Sequence, residues 1–500
     1  MGYGLSKSRL MSFRQCPKRL WLDVHRPDLA VNDPQTEAIF ATGHEVGAIA
    51  QRLYDDGRGV LIEYDRAMAG ALTRTREALA ESSTSPIFEA TFERDGLLIR
   101  ADVLLRDAGG PKLIEVKSSS SLKAEHVEDC TIQYWVLENT STKPGAVSLA
   151  HINNQFVYER PGHYAGLLAE NDLTAEVQAR SSTVPGLLDQ AKQVAASSEP
   201  LSPIGSRCSK PYPCPYRGYC WKDTEYPLTG LPGIGKQLDA LLGDGHFDIR
   251  DLPESILKSE DQKRVWRATR SGKAELRPGS RNAFEALPYP RYYLDFETAG
   301  SAIPRWIGTR PFQQIPFQWS LHVEHRDGSL DHFEFLDLSG GLPVRAAAQA
   351  LLDAIQEVGP IFMFTAFERS CINTMAAFCP DLKEQLDKFV SRLVDLHPIA
   401  KQHYYHPAMR GSWSIKAILP TIAPELDYAS LSGIADGMAA QRSYAEATSR
   451  ETEVSRVATI RNELLRYCKH DTLAMVTLAR YLETGAVPKL PTSQRLRGSA

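Results

Sequence analysis

The stretch that most constrains the fold is residues 86–121, where short apolar runs alternate with turn residues. Turns at Asp95-Gly96 and at residues 107–111 bound apolar runs at 97–99, 103–105 and 113–116. Asp-Gly pairs and Gly/Pro clusters between apolar runs are typical of β-hairpins. The sequence therefore predicts three strands joined by two tight turns, which is a β-meander.

Two carboxylates and one ammonium lie on this predicted meander. Asp102 is on the second strand, and Glu115 and Lys117 are on the third, across a turn. Phosphodiester hydrolysis uses such a set, because carboxylate oxygens hold Mg²⁺ or Mn²⁺ while a lysine orients water or offsets developing charge. The alternative is that the acids are solvated strand ends, with Glu115 and Lys117 forming an exposed ion pair.

These three residues are followed by Gln133 in the helical stretch CTIQYWVL. The pattern resembles the PD-(D/E)XK nucleases of the RecB-like branch, and the resemblance covers residues 1–222. It implies an α/β nuclease core in which Asp102 and Glu115 bind Mg²⁺ or Mn²⁺. Lys117 would be the catalytic lysine of that core, and Gln133 would support the metal site.

The same resemblance implies two further candidate metal ligands. Glu89 precedes the meander's central acid, and His44 lies in ATGHEVGAIAQRLY, one turn before Gly47. A single histidine in such a stretch is equally compatible with a helix cap or a surface residue.

Four of the eight cysteines are placed unusually. Cys16 lies in FRQCPKRLWL, whereas Cys208, Cys214 and Cys220 lie in RCSKPYPCPYRGYC, with five residues between neighbours. Thiolates gathered in this way favour an iron–sulfur cluster or Zn²⁺. Four packing cysteines are the other interpretation. The remaining cysteines, Cys130, Cys371, Cys379 and Cys468, are predicted to be packing residues.

One upstream cysteine with three clustered downstream resembles the iron–sulfur RecB-like nucleases, including CRISPR-associated and helicase-linked members. The N-terminal segment LSKSRLMSFRQCPKRLWL is similar to theirs. The resemblance implies a [4Fe–4S] cluster, with zinc as the alternative, that joins the two ends of the domain. Its ligands would be Cys16, Cys208, Cys214 and Cys220.

Residues 223–288 are predicted to be a helical linker. The segment LTGLPGIGKQLDALLGDGHFDIRDLP resembles a helix-hairpin-helix unit, although a plain linker explains it as well. Residues 263–281 carry seven cations and one acid. They could follow a nucleic-acid backbone or form a solvated connector.

A second catalytic-looking domain is predicted at residues 289–485, followed by a tail at 486–500. A buried strand at 292–296 leads into Asp295-x-Glu297, which places both carboxylates on one face. A late helix carries Tyr467 and Asp471 four residues apart, so the two stack on one face as well.

The order of these motifs resembles the DnaQ-like exonucleases of the DEDDy type, which have an RNase H fold. The resemblance implies a mixed sheet flanked by helices, and 3′–5′ trimming of nucleic-acid strands. The carboxylates of Asp295, Glu297 and Asp471 would hold Mg²⁺ or Mn²⁺, and Tyr467 would position the attacking water. Glu368 in FMFTAFERS is the candidate for the fourth carboxylate, with Asp395 as the fallback.

The predicted function is thus a metal-dependent nuclease with two active sites, acting on DNA rather than RNA. An RNA exonuclease, or a nucleic-acid-binding scaffold with one or both sites inactive, remains an alternative. The balance of 57 basic and 61 acidic residues gives a net charge of −4, so binding would depend on local patches and bound metal. A cytoplasmic location without membrane association is expected, and a helicase or CRISPR/defence partner stays open.

Overall fold

The computed structural model describes residues 4–32, 34–63, 68–81, 84–107, 110–221, 224–356, 358–431, 433–487 and 495–499, with backbone alone at 34, 35, 107 and 495–499. The chain divides into two compact units. Unit 1 comprises Met1–Asp223 and Ser301–Phe312, and unit 2 comprises Thr224–Gly300 and Gln313–Ala500. Both contain helices and β-sheets, which confirms the predicted α/β class.

Unit 1 is built on a seven-stranded mixed sheet. Its strands are β1 (Leu5–Ser6), β2 (Val60–Leu61), β3 (Ile87–Arg94), β4 (Leu97–Asp107), β5 (Gly110–Lys117), β6 (Ala146–Ile152) and β7 (Leu168–Asp172). They follow the order β2-β3-β4-β5-β6-β7, with β1 beside β4. The antiparallel strands β3, β4 and β5 confirm the predicted meander.

Unit 1 also contains α-helices. They are α1 (Lys7–Gln15), α2 (Pro17–His25), α3 (Pro34–Tyr54), α4 (Met68–Ala80), α5 (Ala124–Leu137), α6 (Thr174–Arg180), α7 (Val184–Ala196) and α8 (Arg217–Cys220). Strands β5 and β6 run parallel, so a crossover must connect them, and α5 provides it. Eleven of the fourteen residues of α5 are buried, and among them is the polar Gln133, which lies beside β5.

Unit 2 contains a six-stranded sheet and a two-stranded one. The strands are β8 (Glu275–Leu276), β9 (Arg291–Ala299), β10 (Ile315–Glu324), β11 (Leu330–Leu336), β12 (Ile361–Met363), β13 (Leu393–Asp395), β14 (Tyr404–Tyr405) and β15 (Arg495–Ser499). The larger sheet has the order β13-β12-β9-β10-β11-β15, and β14 pairs with β8. The predicted strand at 292–296 lies within the central strand β9.

Unit 2 also contains α-helices. They are α9 (Leu238–Gly243), α10 (Glu260–Ser271), α11 (Asn282–Glu285), α12 (Val344–Ala354), α13 (Phe367–Phe378), α14 (Lys383–Ser391), α15 (Leu396–His403), α16 (Ile415–Ile422), α17 (Gly437–Ala447) and α18 (Val454–Thr484). The predicted late helix is α18, whose buried face packs on β9 and β10. Within the described ranges, no helix has the length and apolarity needed to cross a membrane.

The segment predicted as a linker belongs to unit 2 from Thr224 onward. In its basic stretch, Arg264 is 1% exposed and donates to the carbonyl of Lys401 at 2.6 Å. Trp266 is also buried and donates its indole N–H to the carbonyl of Leu252. These two side chains serve packing, whereas four other cations of the stretch are exposed: Arg267, Arg270, Lys273 and Arg281.

The helix-hairpin-helix resemblance is matched only in part. Residues after the Gly233–Gly235 turn form α9, a six-residue helix, but Leu228–Gly230 before it forms a single 3₁₀ turn rather than a first α-helix. The preceding Pro227 has no N–H to donate, so an α-helix could not continue through that position.

Candidate active sites

Asp102 and Glu115 meet where strands β4 and β5 separate. The last residues paired between these strands are Val103 and Ile114. Beyond them, the backbone N–H of Val116 is donated to Oδ2 of Asp102 at 2.7 Å, so a side chain replaces the strand-to-strand hydrogen bond. Burial, followed by the nearby charge of Glu115, raises the pKa of Asp102 to about 7. The predicted pair of carboxylates is therefore brought together.

Glu115 lies at the centre of this site and is 1% exposed. Lys117, two positions along the same strand, contacts its Oε1 at 2.5 Å. Gln133 on α5 donates its side-chain N–H to Oε2 at 2.5 Å. The structure thus places all four of the main predicted residues of unit 1 in one cluster.

Two residues of this cluster were not predicted. Lys7, the first residue of α1, contacts Glu115 at 3.0 Å and Asp129 at 2.7 Å. Asp129, on α5, also contacts Lys117 at 2.7 Å. Burial opposes the charged form of Lys7, but the carboxylates of Asp129 and Glu115 outweigh it and raise the pKa of Lys7. Asp129 could have been inferred, because it lies one helical turn before Gln133, whereas Lys7 is joined to the site only by the fold.

Glu89 and His44 lie close to this cluster but have other surroundings. Glu89 forms a 2.9 Å salt bridge with Arg100 and has a φ of +58°. Burial raises the pKa of Glu89, and the charges of Arg100 and, more weakly, His44 oppose that change. His44 itself is exposed on α3.

The four predicted cysteines line one cavity of unit 1. Cys16 ends α1, while the other three come from the loop before α8 and from α8 itself. Burial raises the pKa of the Cys220 thiol to about 11, although the nearby charge of Lys18 lowers it. Four cations also line the cavity, namely Lys18, Arg19, Arg207 and Arg217. Thiolates are soft metal ligands, and the cations would offset negative charge. This lining therefore fits a negatively charged metal group that takes thiolate ligands.

In unit 2, Asp295, Glu297 and Asp471 form a compact acidic cluster. One carboxylate oxygen from each lies within 4.8 Å of the other two. The two β9 residues share a strand face, and α18 packs on that face with Asp471 pointing into it. Burial and then mutual repulsion raise the pKa of Asp295 and Glu297, and burial raises that of Asp471 to about 6. No other described set of three metal-ligating side chains is as compact.

Glu368, the candidate fourth carboxylate, is the second residue of α13 and lies beside this cluster. It is 2% exposed, and its Oε2 has no hydrogen-bond partner within the described chain. Burial raises the pKa of Glu368 to about 8, and Asp471 contributes. The fallback Asp395 instead caps α15 and accepts the backbone N–H groups of His397 and Thr365. Of the two candidates, Glu368 keeps a carboxylate oxygen without a hydrogen-bond partner in the described chain, whereas Oδ1 of Asp395 accepts two backbone hydrogen bonds.

Tyr467 lies in the same site, together with two residues that were not predicted. Its hydroxyl accepts a 3.0 Å hydrogen bond from Lys416, the second residue of α16. Tyr428 donates its hydroxyl hydrogen to Oδ1 of Asp471. Neither Lys416 nor Tyr428 has a local spacing relation to the acids, so only the fold brings them together.

A buried polar network anchors α18 next to Asp471. The hydroxyl of Thr472 bonds to Ser320 at 2.9 Å and to Nδ1 of His322 at 2.8 Å, both on β10. Ser320 also bonds to Nε2 of His332 at 2.9 Å. These bonds give buried polar groups of α18 and β10 partners across the interface between helix and sheet.

Comparisons with known proteins match part of this chain. Residues 292–414 match the model of a family described as a domain of unknown function (DUF2779). No curated protein matches. Among solved structures, one titled "Crystal structure of SSO0001" matches at 16% sequence identity with a TM-score of 0.24, over 44% of this chain and 86% of that one. The matched family region contains Asp295, Glu297 and Glu368, whereas Tyr467 and Asp471 lie beyond it.

Proposed function

We propose that this chain is a metal-dependent nuclease with two active sites that processes DNA ends. The observation that carries the proposal is the compact set of Asp295, Glu297 and Asp471. Buried carboxylates that raise one another's pKa values ionise together more readily when a cation is bound between them. Mg²⁺ or Mn²⁺ held there would supply a Lewis acid and an activated water.

The chain's own residues in unit 2 divide the work of a DEDDy-type exonuclease. Asp295, Glu297, Asp471 and Glu368 would hold the metal ions. Tyr467, fixed by its hydrogen bond from Lys416, would orient the attacking water. The unpartnered Oε2 of Glu368 supports its assignment as a ligand, because a buried carboxylate oxygen is costly to leave without a partner.

In unit 1 the proposal is a RecB-like nuclease core. Asp102 and Glu115 would hold metal, and Lys117 would orient water or offset charge on the phosphate. Lys7 and Asp129 extend this set. Lys7 and Lys117 also neutralise Glu115 and Asp129. This observation favours the alternative, in which the unit 1 site binds strands without cutting them.

We further propose that the four cysteines hold a [4Fe–4S] cluster. The four cysteines line one cavity together with four cations, which favours a thiolate-ligated group that carries negative charge. When bound, such a cluster would join the two ends of unit 1, α1 and the segment around α8. A cytoplasmic location is part of the same proposal.

The test is a strand-shortening assay with Mg²⁺ or Mn²⁺ on deoxyribonucleotide strands labelled separately at each end. Asp295→Ala should remove release of 3′ nucleotides and leave the unit 1 activity, whereas Lys117→Ala should do the reverse. The matched control is Lys388→Met, which changes an exposed residue of α14. Strands that bind but stay intact with either metal would refute the nuclease, and faster shortening of a ribonucleotide strand would favour an RNA exonuclease.

A further inference from the structure

Lys416 places a positive charge beside the acidic cluster of unit 2. Its charge opposes the rise in pKa that burial causes at Glu297 and Asp471. It lies on α16, whose first turn is capped by the side chain of Ser414. A cation fixed at this point attracts any anion that approaches the carboxylates.

The ammonium is held in place by neutral groups. It donates to the carbonyl of Ala435 at 2.7 Å and to the hydroxyl of Tyr467 at 3.0 Å. It also lies 5.1 Å from the ring centre of Tyr428 and 5.0 Å from that of Tyr467. These contacts restrict a long side chain before any ligand arrives, which removes part of the entropic cost of binding.

Its hydrogen-bonding capacity is not used up by these contacts. An ammonium has three N–H donors, and within the described chain the carbonyl and the hydroxyl take two of them. The contrast with unit 1 is clear, since Lys7 and Lys117 contact carboxylates directly at 2.5–3.0 Å. Lys416 therefore keeps a donor and an unpaired charge next to its acidic neighbours.

A phosphodiester is the ligand that this arrangement suits. Four carboxylates repel an anionic strand, and bound divalent ions would offset the carboxylates and only part of the charge that develops on the phosphate. A fixed cation beside them offsets that charge, as preorganised donors do for other developing anions.

We propose that Lys416 is a catalytic residue of unit 2, which donates a hydrogen bond to a non-bridging oxygen of the scissile phosphate. This inference rests on the proposed exonuclease function of unit 2. It assigns to that site a contact with the substrate that the acidic residues and Tyr467 do not make.

The experiment uses the full chain with Lys117→Ala as background, so that unit 1 does not contribute. Release of the 3′ nucleotide from a 5′-labelled deoxyribonucleotide strand is measured with Mn²⁺ for Lys416→Met, Lys416→Arg and the control Lys388→Met. We expect Lys416→Met to lower kcat/KM about 100-fold, mainly through kcat, as loss of one preorganised donor does. Lys416→Arg should retain at least about a tenth of the activity, and the control should be unchanged.

Two readouts separate a substrate contact from a structural role. In Lys416→Met, the Mn²⁺ affinity measured by electron paramagnetic resonance should not fall, and the melting temperature should change little. Unchanged kcat/KM, or equal losses of Mn²⁺ affinity and activity in both variants, would overturn the inference while leaving the exonuclease intact. If the background chain itself released no nucleotide although Asp295 is present, the proposed function would fail, and this inference with it.

Discussion

Glu368 and Asp471 are carboxyl groups that the fold keeps buried beside other acids. Burial raises the pKa of Glu368 to about 8 and that of Asp471 to about 6. In an unfolded chain the pKa of each of these groups is about 4. Between about pH 4 and about pH 8, the folded protein therefore binds more protons than the unfolded chain does. This proton binding stabilises the folded state.

We expect the metal-free protein to lose stability as pH rises. The stabilising contribution of these raised pKa values is complete below about pH 4 and is lost as pH rises through about 6 to 8. Mn²⁺ should therefore raise the melting temperature more at pH 8.5 than at pH 5.5, because ionised carboxylates bind it. Thermal unfolding with EDTA or Mn²⁺ at the two pH values tests this expectation.

Removing one of these charges should stabilise the metal-free protein. Glu368→Gln should raise its melting temperature at pH 8.5 by about 2–4 °C for each kcal/mol gained, and have little effect at pH 5.5, where Glu368 is protonated. The control is the exposed acid Glu384. Glu384→Gln should change the melting temperature at neither pH. Equal effects of Glu368→Gln at both pH values would contradict the titration that we describe.

At the scale of elements, α1 joins two features of unit 1. Its first residue, Lys7, reaches the carboxylate site, and the residue that ends it, Cys16, lines the cysteine cavity. Gln15, in its last turn, donates to the carbonyls of Arg207 and Tyr212 at 2.7 and 2.8 Å. Loss of order in the cysteine loop should therefore disturb the position of Lys7.

We expect Cys208→Ser to abolish the iron content and to reduce unit 1 cutting with it, since the loop no longer holds α1. Lys7→Met should reduce cutting while leaving iron and the visible absorbance intact. Cys379→Ser, at a buried cysteine of unit 2, is the control and should retain both. Zinc in place of iron in the anaerobically purified chain would overturn the cluster assignment.

The long helix α18 depends on a few polar contacts with the sheet. Thr472→Val removes the hydroxyl that bonds to Ser320 and His322 and leaves buried partners unsatisfied, which costs about 1–3 kcal/mol. Thr477 is equally buried, but its hydroxyl bonds within its own helix, so Thr477→Val should cost less. Urea unfolding compares the two variants, and equal losses would refute the anchoring role.

At the scale of the whole molecule, the two units are not consecutive in sequence. Ser301–Phe312 lies between strands β9 and β10 of unit 2 but belongs to unit 1. Ala302 and Ile303 in this segment pack with Ile152, Leu167 and other apolar residues of unit 1. Apolar surface buried in this way stabilises the folded unit.

A fragment ending at residue 223 should therefore be less stable than unit 1 in the full chain. Its apolar cluster lacks Ala302 and Ile303, so proteolysis should cut it sooner. Limited proteolysis of the fragment and the full chain, followed by mass spectrometry of the products, compares them. Equal protection of residues 152–167 would show that the segment contributes little.

Local spacing in the sequence was enough to find much of each site. The meander, the face shared by Asp295 and Glu297, and the stacking of Tyr467 over Asp471 follow from the strand and helix periods. These periods depend on neighbours in the chain, so a sequence read on its own reveals them. The additional partners Lys7, Asp129, Lys416 and Tyr428 were missed, although the spacing of Asp129 from Gln133 could have indicated it.

The tertiary structure alone decided which distant residues meet. Lys7 reaches Glu115 because α1 packs near β4, and Lys416 reaches Tyr467 because α16 packs against α18. It also showed that Arg264 and Trp266, in the basic stretch, are buried. Such contacts depend on how apolar surfaces of separate elements pack together, and no local periodicity encodes that choice.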